Sequence, residues 1–437
     1  MRKLIKESDL FQHISFKIAY LYVMLPIIIF LIGWVHLYIS IPCVCVLVFV
    51  YYLMCRHIPE QWEPVWTKED IKKGVLIVGI VFLWVYLSGV GAFVFQNTDH
   101  NARNAIFEML VNNPWPVTKN IVIDGANTSR GLIYYIGFWM PSAVFGKLFG
   151  ITVGYCMQAL WAAIGILLFY YFICVIRKKI TIWPLFVFIF ISGLDILGYY
   201  ITRTDFSDWS NILHLEWWAQ GFQFSSFTTQ LFWVFNQALP AWLIVILMYL
   251  QKSNRCLVLL WGAMLLSSTF PFAGMLPFLI FFVFSRKYEC DGEIRRICFK
   301  KKWWTEFLKD TLTVENVLGG GICGIVSFLY LRGNLSANVV SSGSEIHYGR
   351  GYLLLYLIFV LIEVGIYFMI IFKYQSNRAI FYITGAWLLI CPLITVGFSD
   401  DFCMRASIPA LIFLYLMIVD TITLAHEKKI MLSYHCC

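Results

Sequence analysis

Residues 16–38 read FKIAYLYVMLPIIIFLIGWVHLY, and Lys17 is the one Lys, Arg, Asp or Glu among them. A helix needs about 20 mostly apolar residues to cross the hydrocarbon core of a bilayer. Inside that core every backbone N–H and C=O group must be bonded within the protein, and a helix achieves this along its own length. The stretch therefore predicts a transmembrane helix.

Similar apolar runs recur along the whole chain of 437 residues, of which 60% are hydrophobic and 13% charged. A soluble protein of this size could not bury so much apolar surface. We expect one all-α membrane domain over residues 1–437, with about twelve transmembrane helices (eleven to thirteen). The predicted spans are 16–38, 39–55, 74–95, 152–176, 182–200, 231–250, two short spans within 256–285, 313–332, 351–373, 379–397 and 407–425.

The net charge of +8 does not indicate nucleic-acid binding, because the basic residues form short clusters between the apolar runs. Cytoplasmic loops carry such an excess of Lys and Arg. If 130–150 does not cross the membrane, 25 of the 33 Lys and Arg residues lie on the cytoplasmic side. In this topology 96–151 and 201–230 are outer loops, and 286–312 is a basic cytoplasmic loop. We expect a multi-pass protein of a cell membrane, most simply the bacterial plasma membrane.

The first outer loop begins directly after a predicted span, at Gln96-Asn97-Thr98-Asp99-His100. From Ala102 onward apolar residues recur at helical spacing, which predicts a helix at the membrane surface. Asp99 precedes that helix and has two interpretations. It is either a helix cap or a general base at the boundary between membrane and water.

The order of motifs in this loop resembles that of the first external loop of GT-C glycosyltransferases, which use polyprenyl-phosphate-linked sugars. The resemblance covers about 50 residues. In two places the chain departs from the family pattern: His100 stands where a second acidic residue is usual, and Arg130-Gly131-Leu132 replaces Pro-Pro-Leu. The matching residues are Asp99, Ala102-Arg103-Asn104-Ala105, Met109-Leu110, Pro114-Trp115-Pro116, Leu132-Ile133-Tyr134-Tyr135 and Lys147-Leu148-Phe149-Gly150.

The resemblance implies a GT-C-like fold with juxtamembrane helices on the outer face. It implies that Asp99 activates the acceptor and that His100 assists it or is an ordinary loop residue. Asp99 could also help to hold a divalent metal ion, Mg²⁺ or Mn²⁺, although His100 in place of the second acid weighs against a bridged metal. Outward-facing basic residues would bind the lipid phosphate, and the candidates are Arg405, Arg350 and Lys147. For Arg405 the alternative is a salt bridge to Asp400 or Asp401.

The second outer region alternates polar and aromatic residues. Aromatic rings are common at membrane interfaces without any further function. They also stack on the apolar faces of sugars, whose hydroxyl groups carboxylates bind. Glu363 falls within a span, where an ionisable side chain indicates function. The candidate substrate-binding residues are Asp195, Asp205, Asp208, His214, Glu216, Trp217 and Trp218.

These features predict a membrane enzyme that transfers a sugar from a polyprenyl-phosphate donor to a cell-surface glycan or lipid-linked acceptor. Its partners would be membrane lipids, the donor and the acceptor, and no nucleic acid. Two alternatives remain open. One is a polymerase or ligase of surface polysaccharide, and the other is a non-enzymatic transporter or flippase of lipid-linked glycans.

Overall fold

The computed structural model is mostly helical. It describes residues 13–64, 66–123, 126–202, 214–219, 221–285, 301–333, 350–396 and 401–435. In these ranges the side chains of 121–123, 126–128, 301–303, 350–351 and 428–435 are left out of the description.

Seven helical stretches of the described residues are long and apolar enough to cross a membrane, and an eighth joins two helices bent by 54°. This confirms the prediction of an α-helical, multi-pass membrane protein. The seven are Ile14–Trp34, Leu37–Arg56, Ile151–Arg177, Trp183–Thr202, Phe227–Leu250, Tyr352–Gln375 and Ile408–Glu427, and the bent pair is Trp304–Thr311 with Glu315–Arg332.

The number of twelve spans is not confirmed. The four other predicted crossings coincide with helices that are shorter or more polar than a typical span. Lys68–Leu87 begins with Lys68, Glu69 and Asp70, so that charged residues occupy its first turn. The remaining three correspond to Leu257–Met264, Thr269–Ser285 and Ala379–Leu393.

Residues 130–150 do not form a membrane-spanning helix. They contain the end of a strand, a single 3-10 turn and the ten-residue helix Met140–Phe149. At 1.5 Å per residue that helix is about 15 Å long, about half of the hydrocarbon thickness. The preceding strand pairs with Thr118–Ile123 in an antiparallel hairpin. The fold therefore departs from the all-α expectation at this hairpin in the first outer loop.

The described chain divides into two compact units. The first comprises Met1–Thr181, Leu231–Phe272 and Leu279–Asn338, and the second comprises Ile182–Gln230, Ala273–Phe278 and Val339–Cys437. We number the helices α1–α19 and the two strands β1 and β2 in chain order.

The first unit is built around α1, whose Tyr22 ring stacks on Trp161 of α6 with 3.9 Å between ring centroids. Most of α9 lies in this unit and is almost entirely buried. Its elements are α1 (Ile14–Trp34), α2 (Leu37–Arg56), α3 (Lys68–Leu87), α4 (Asp99–Asn112), β1 (Thr118–Ile123), β2 (Ala126–Gly131), α5 (Met140–Phe149), α6 (Ile151–Arg177), α9 (Phe227–Leu250), α10 (Leu257–Met264), α11 (Thr269–Gly274), α12 (Leu276–Ser285), α13 (Lys301–Thr311) and α14 (Gly320–Arg332). Parts of α9, α11 and α12 belong to the second unit.

The second unit packs aromatic rings from separate helices against one another. Phe188 stacks on Phe227 with ring centroids 4.1 Å apart, and Tyr415 lies edge-on to both. Its elements are α7 (Trp183–Phe190), α8 (Asp195–Thr202), α15 (Arg350–Val360), α16 (Ile366–Gln375), α17 (Ala379–Ile390), α18 (Asp401–Ala406) and α19 (Ile408–His435). One π-helical turn, Leu361–Gly365, joins α15 to α16, and another, Glu315–Gly319, precedes α14 in the first unit.

Gly274, the last residue of α11, and Ala406 both belong to the second unit, and their backbones approach closely. A Cβ atom at Gly274 would stand 1.9 Å from the Ala406 carbonyl oxygen, which cannot move without shifting the backbone. We therefore expect Gly274→Ala to lower the stability of the folded protein by about 2 kcal/mol or more, the scale of overpacking. Thermal unfolding in detergent would measure the loss.

Gly324 provides the matched control, because a Cβ atom there would meet nothing within 4 Å. Gly324→Ala should unfold at the wild-type temperature or slightly above it, since alanine favours a helix over glycine by up to about 1 kcal/mol. Equal unfolding temperatures for the two variants would contradict the close approach at Gly274.

Candidate functional site

The start of α4 is bound to a kink in the transmembrane helix α9. Val234 has non-helical angles (φ −133°, ψ 32°), which interrupt the regular hydrogen bonding of α9. The carbonyl oxygen of Phe232 accepts hydrogen bonds from Asn97 Nδ2 at 2.7 Å and from the His100 ring at 3.0 Å. An unpartnered buried carbonyl group is costly. The kink and the start of α4 therefore stabilise each other.

His100 is a buried structural residue in this arrangement. Its side chain is 1% exposed, and both ring nitrogens are engaged. Gln96 Nε2 already donates to the Gly89 carbonyl group, so the bond network assigns Nδ1 of His100 as an acceptor from Gln96 at 3.1 Å and Nε2 as the donor to Phe232. Burial is the main cause that lowers the pKa of His100, and nearby Arg103 acts in the same direction. The ring positions its neighbour Asp99 and offers no free nitrogen to a substrate.

Asp99 is the first residue of α4 and not its cap. Thr98 occupies the cap position without a capping bond from its own side chain, and Asn97 Oδ1 accepts from the Asp99 N–H group at 3.0 Å. Asp99 Oδ2 forms an ion pair with Arg103 at 2.9 Å, one helical turn away. The Asp99 side chain is 43% exposed, whereas that of Arg103 is 6% exposed. No hydrogen-bond partner of Asp99 Oδ1 occurs among the described residues, so one carboxylate oxygen is held and the other is accessible.

Lys147 lies at the opposite end of α4. Its ammonium group donates to the Asn113 carbonyl oxygen, just beyond the helix, and lies 5.0 Å from the centre of the Trp115 ring. Loss of hydration lowers the pKa of Lys147. Because α4 has 14 residues, its two ends are about 20 Å apart. Lys147 therefore cannot bind the phosphate of a donor whose sugar reacts at Asp99.

Glu216 is occupied by hydrogen bonds from its own segment. Its Oε1 accepts from the Ser226 N–H group at 3.1 Å, from the Ser226 hydroxyl at 2.8 Å and from the Thr229 hydroxyl at 2.6 Å. Its Oε2 accepts from Gln223 Nε2 at 3.0 Å. Three of these donor groups belong to Ser226 and Thr229 at the start of α9, where a negative charge is stabilising. The side chain is 6% exposed, so it anchors a helix start and is not open to a substrate.

The second outer region brings Trp218 to Glu363. The indole Nε1 of Trp218 donates to Glu363 Oε1 at 2.9 Å, and Asp195 interacts with the same carboxyl group. All three side chains are buried. Trp217, by contrast, is 45% exposed and stacks on His214 with ring centroids 5.3 Å apart. Among the aromatic residues predicted to bind sugar here, Trp217 is the one whose ring is accessible.

Arg405 forms a salt bridge within the protein, which was the alternative to binding a lipid phosphate. Its guanidinium group pairs with Asp401 Oδ1 at 2.8 Å, and the residue is 8% exposed. Arg350 begins α15, but its side chain is outside the description, and Asp205 and Asp208 lie outside the described residues. The candidates divide between the units, with Asp99, His100 and Lys147 in the first and Asp195, His214, Glu216, Trp217, Trp218 and Arg405 in the second.

The residues around Asp99 do not fit a divalent metal ion. The Arg103 cation already balances the Asp99 carboxylate, and the His100 nitrogens face Gln96 and Phe232. Within the part of the chain that the structure describes, no group of three or more His, Cys, Asp or Glu side chains is arranged to hold a metal. We therefore derive no step through a metal at this position.

Comparisons with family models, with curated proteins and with solved structures found no match to this chain. The functional argument consequently depends on the residues themselves.

The buried His100 makes stability depend on pH. Its pKa in the folded state is lowered below the ordinary value of about 6.5. The unfolded chain then takes up more protons as the pH falls, so the contribution to stability is complete above about pH 6.5 and is lost below it. We expect the unfolding temperature to fall on acidification, and to fall less in His100→Gln, whose amide can still donate to Phe232.

His36 is an exposed histidine at the start of α2 and serves as the control. His36→Gln should retain the full acid sensitivity of the wild type. If His100→Gln and the wild type lose stability in parallel as the pH falls, His100 is not the buried neutral ring described above.

Proposed function

We propose that the chain is a GT-C-like membrane glycosyltransferase of about twelve spans in the bacterial plasma membrane. It transfers a sugar from a polyprenyl-phosphate donor to a cell-surface glycan or lipid-linked acceptor on the outer face. The observation that supports this proposal is the geometry of Asp99. One oxygen of its carboxylate is paired with Arg103, and the other is accessible. The next residue, His100, is buried and bonded to Phe232, which fixes the start of the helix.

A general base must accept a proton from a hydroxyl group within hydrogen-bond distance. In the proposed reaction the acceptor hydroxyl donates to Asp99 Oδ1 while its oxygen attacks the anomeric carbon of the sugar. The bond between that carbon and the phosphate oxygen breaks, and the polyprenyl phosphate leaves with the electron pair. Asp99 takes the proton, and Arg103 maintains the orientation of the carboxylate through Oδ2.

The pre-formed phosphate leaving group explains why so few protein groups are required. Positioning and one carboxylate supply most of the catalysis when the donor is already activated. Of the three basic candidates for the lipid phosphate, Lys147 has no part in the proposal, because it lies at the far end of α4 from Asp99. The accessible ring of Trp217 is a separate candidate for stacking on the apolar faces of sugars.

The two alternatives differ in what supports them. A polysaccharide polymerase or ligase would use the same accessible carboxylate, and only the acceptor would distinguish it. A transporter or flippase derives its support from the second unit, where the span Trp183–Thr202 is interrupted between α7 and α8. Interrupted spans with buried ionisable groups are typical of transporters.

Asp99→Asn tests the catalytic role. The amide keeps the size of the side chain but cannot accept the proton, so transfer activity should fall roughly a hundredfold or more. Folding should survive, because Asp99 itself is half-exposed and the amide oxygen of the new side chain can still accept a hydrogen bond from Arg103. Activity would be measured in membranes supplied with donor and acceptor, normalised to the amount of folded protein.

Glu108 offers a matched control on the same helix, since it is also an exposed carboxylate and accepts from the Tyr155 hydroxyl at 3.0 Å. Glu108→Gln should retain most of the wild-type activity. Should Asp99→Asn remain as active as Glu108→Gln, Asp99 is not the base and the proposal loses its main support.

A further inference from the structure

The second unit contains a carboxyl group inside an interrupted span. Residues 191–194 separate α7 from α8, and the carboxyl group of Glu363 packs against this break. A Cβ atom at Gly193 would stand 1.5 Å from Glu363 Oε2, so only glycine leaves room for it. Glu363 lies in the π-helical turn Leu361–Gly365. Such turns are frequent at functional sites.

Two acidic groups meet here, and the described residues bring no cation to them. Asp195, the first residue of α8, follows Gly193 by two residues and interacts with the Glu363 carboxyl group, and the two residues are 8% and 3% exposed. Over the described ranges of the chain, no Lys, Arg or His side chain interacts with either group. Two adjacent buried negative charges would be very costly. A hydrogen bond between two carboxyl groups also requires one of them to carry a proton.

The other titratable groups that the structure describes around the pair do not supply positive charge either. Glu216 adds a negative charge from its own segment, and Tyr367 of α16 contributes a neutral hydroxyl that donates to the Ser192 carbonyl group. The segment Phe224–Phe227 and the residues Leu411 and Leu414 of α19 face the same space with side chains that do not titrate. A bound proton is therefore the simplest way to balance the pair.

A small cavity borders the pair. It has a volume of about 30 Å³, and Ser192, Gly193, Ser226, Glu363, Tyr367 and Leu411 contribute to its wall. This is room for about two water molecules and far too little for a sugar. Glu363 is one of the residues that line this cavity. Its Oε2 atom accepts no N–H or O–H hydrogen bond from the other described groups. The cavity therefore provides room for water beside the Glu363 carboxyl group.

The position of the proton follows from the surroundings. Asp195 lies at the start of α8, where the helix dipole favours a negative charge. Glu363 lies within a continuous helical segment and accepts from Trp218 through Oε1, which leaves Oε2 to carry a proton toward Asp195. The arrangement places the proton on Glu363.

We propose that Asp195 and Glu363 form a proton-binding site within the membrane-spanning part of the second unit, with the proton on Glu363 and a water-sized cavity as its exchange path. The ligand is a single proton, and the site would couple proton uptake or release to the break between α7 and α8. The proposal is independent of the role of Asp99.

Infrared spectroscopy of the purified full-length protein in lipid nanodiscs tests it directly. At neutral pH the wild type should show the carbonyl-stretch band of a buried protonated carboxylic acid, and this band should shift in heavy water. Glu363→Gln should abolish the band and still fold, because its amide oxygen accepts from Trp218 and its amide N–H donates to Asp195. Asp195→Asn should keep the band but shift it, because a neutral oxygen replaces the carboxylate acceptor.

Glu315 supplies the control, since it is 1% exposed but lies 3.7 Å from Arg255 and 3.3 Å from His57. Glu315→Gln should leave the band unchanged. Absence of the band in the wild type would by itself overturn the proposal. If the band is absent and the carboxylate bands instead change when sodium is added, the pair binds a metal cation and not a proton. A band that survives Glu363→Gln but disappears in Asp195→Asn would overturn the assignment to Glu363.

Discussion

The carbonyl oxygen of Phe232 holds the proposed reaction centre in place. The kink at Val234 interrupts the regular bonding of α9, and Asn97 and His100 supply the hydrogen bonds at Phe232 from the start of α4. A nonpolar environment offers no water to replace these bonds, so the two elements must remain together. The orientation of Asp99, its ion pair with Arg103 and its accessible oxygen all depend on this contact.

The acidic side chains of the chain differ in what surrounds them, and the surroundings determine what each can do. Glu216 accepts four hydrogen bonds and stabilises a helix start. Glu363 faces an indole N–H group and a second carboxyl group, so a proton on Glu363 would remove the repulsion between two negative charges. Asp99 has one partner and one open side. Carboxyl side chains therefore serve structure and, in our two proposals, proton binding and catalysis.

Much of the fold could be predicted because the bilayer requires long apolar helices. The run at 16–38 corresponds to Ile14–Trp34, and the predicted surface helix from Ala102 corresponds to α4, which begins three residues earlier. The hairpin in the first outer loop was missed, although Asp124-Gly125, the pair between its two strands in the sequence, is typical of two-residue hairpin turns. Its polar strands lack a continuous apolar pattern, and the outer loop was interpreted through its helix alone.

The candidate site was harder to predict, because its contacts join residues far apart in the chain. The sequence places Asp99 just before a surface helix and the structure makes it the first residue of α4, but nothing in the sequence indicates that His100 bonds to Phe232, 132 positions later. The mid-span position of Glu363 was a signal of function, yet its partners Trp218 and Asp195 come from separate segments. Such pairings are set by packing and not by spacing.

The central claim is that Asp99 presents an accessible carboxylate, whereas Asp195, Glu216 and Glu363, the other acidic candidates that the structure describes, are buried. Labelling of the native protein in membranes with a water-soluble carbodiimide, followed by mass spectrometry, measures which carboxyl groups the reagent can reach from water. We predict modification at Asp99 and at exposed Glu108, and protection of Asp195, Glu216 and Glu363 until the protein is unfolded. Protection of Asp99, or rapid modification of Glu216 in the folded protein, would contradict the account.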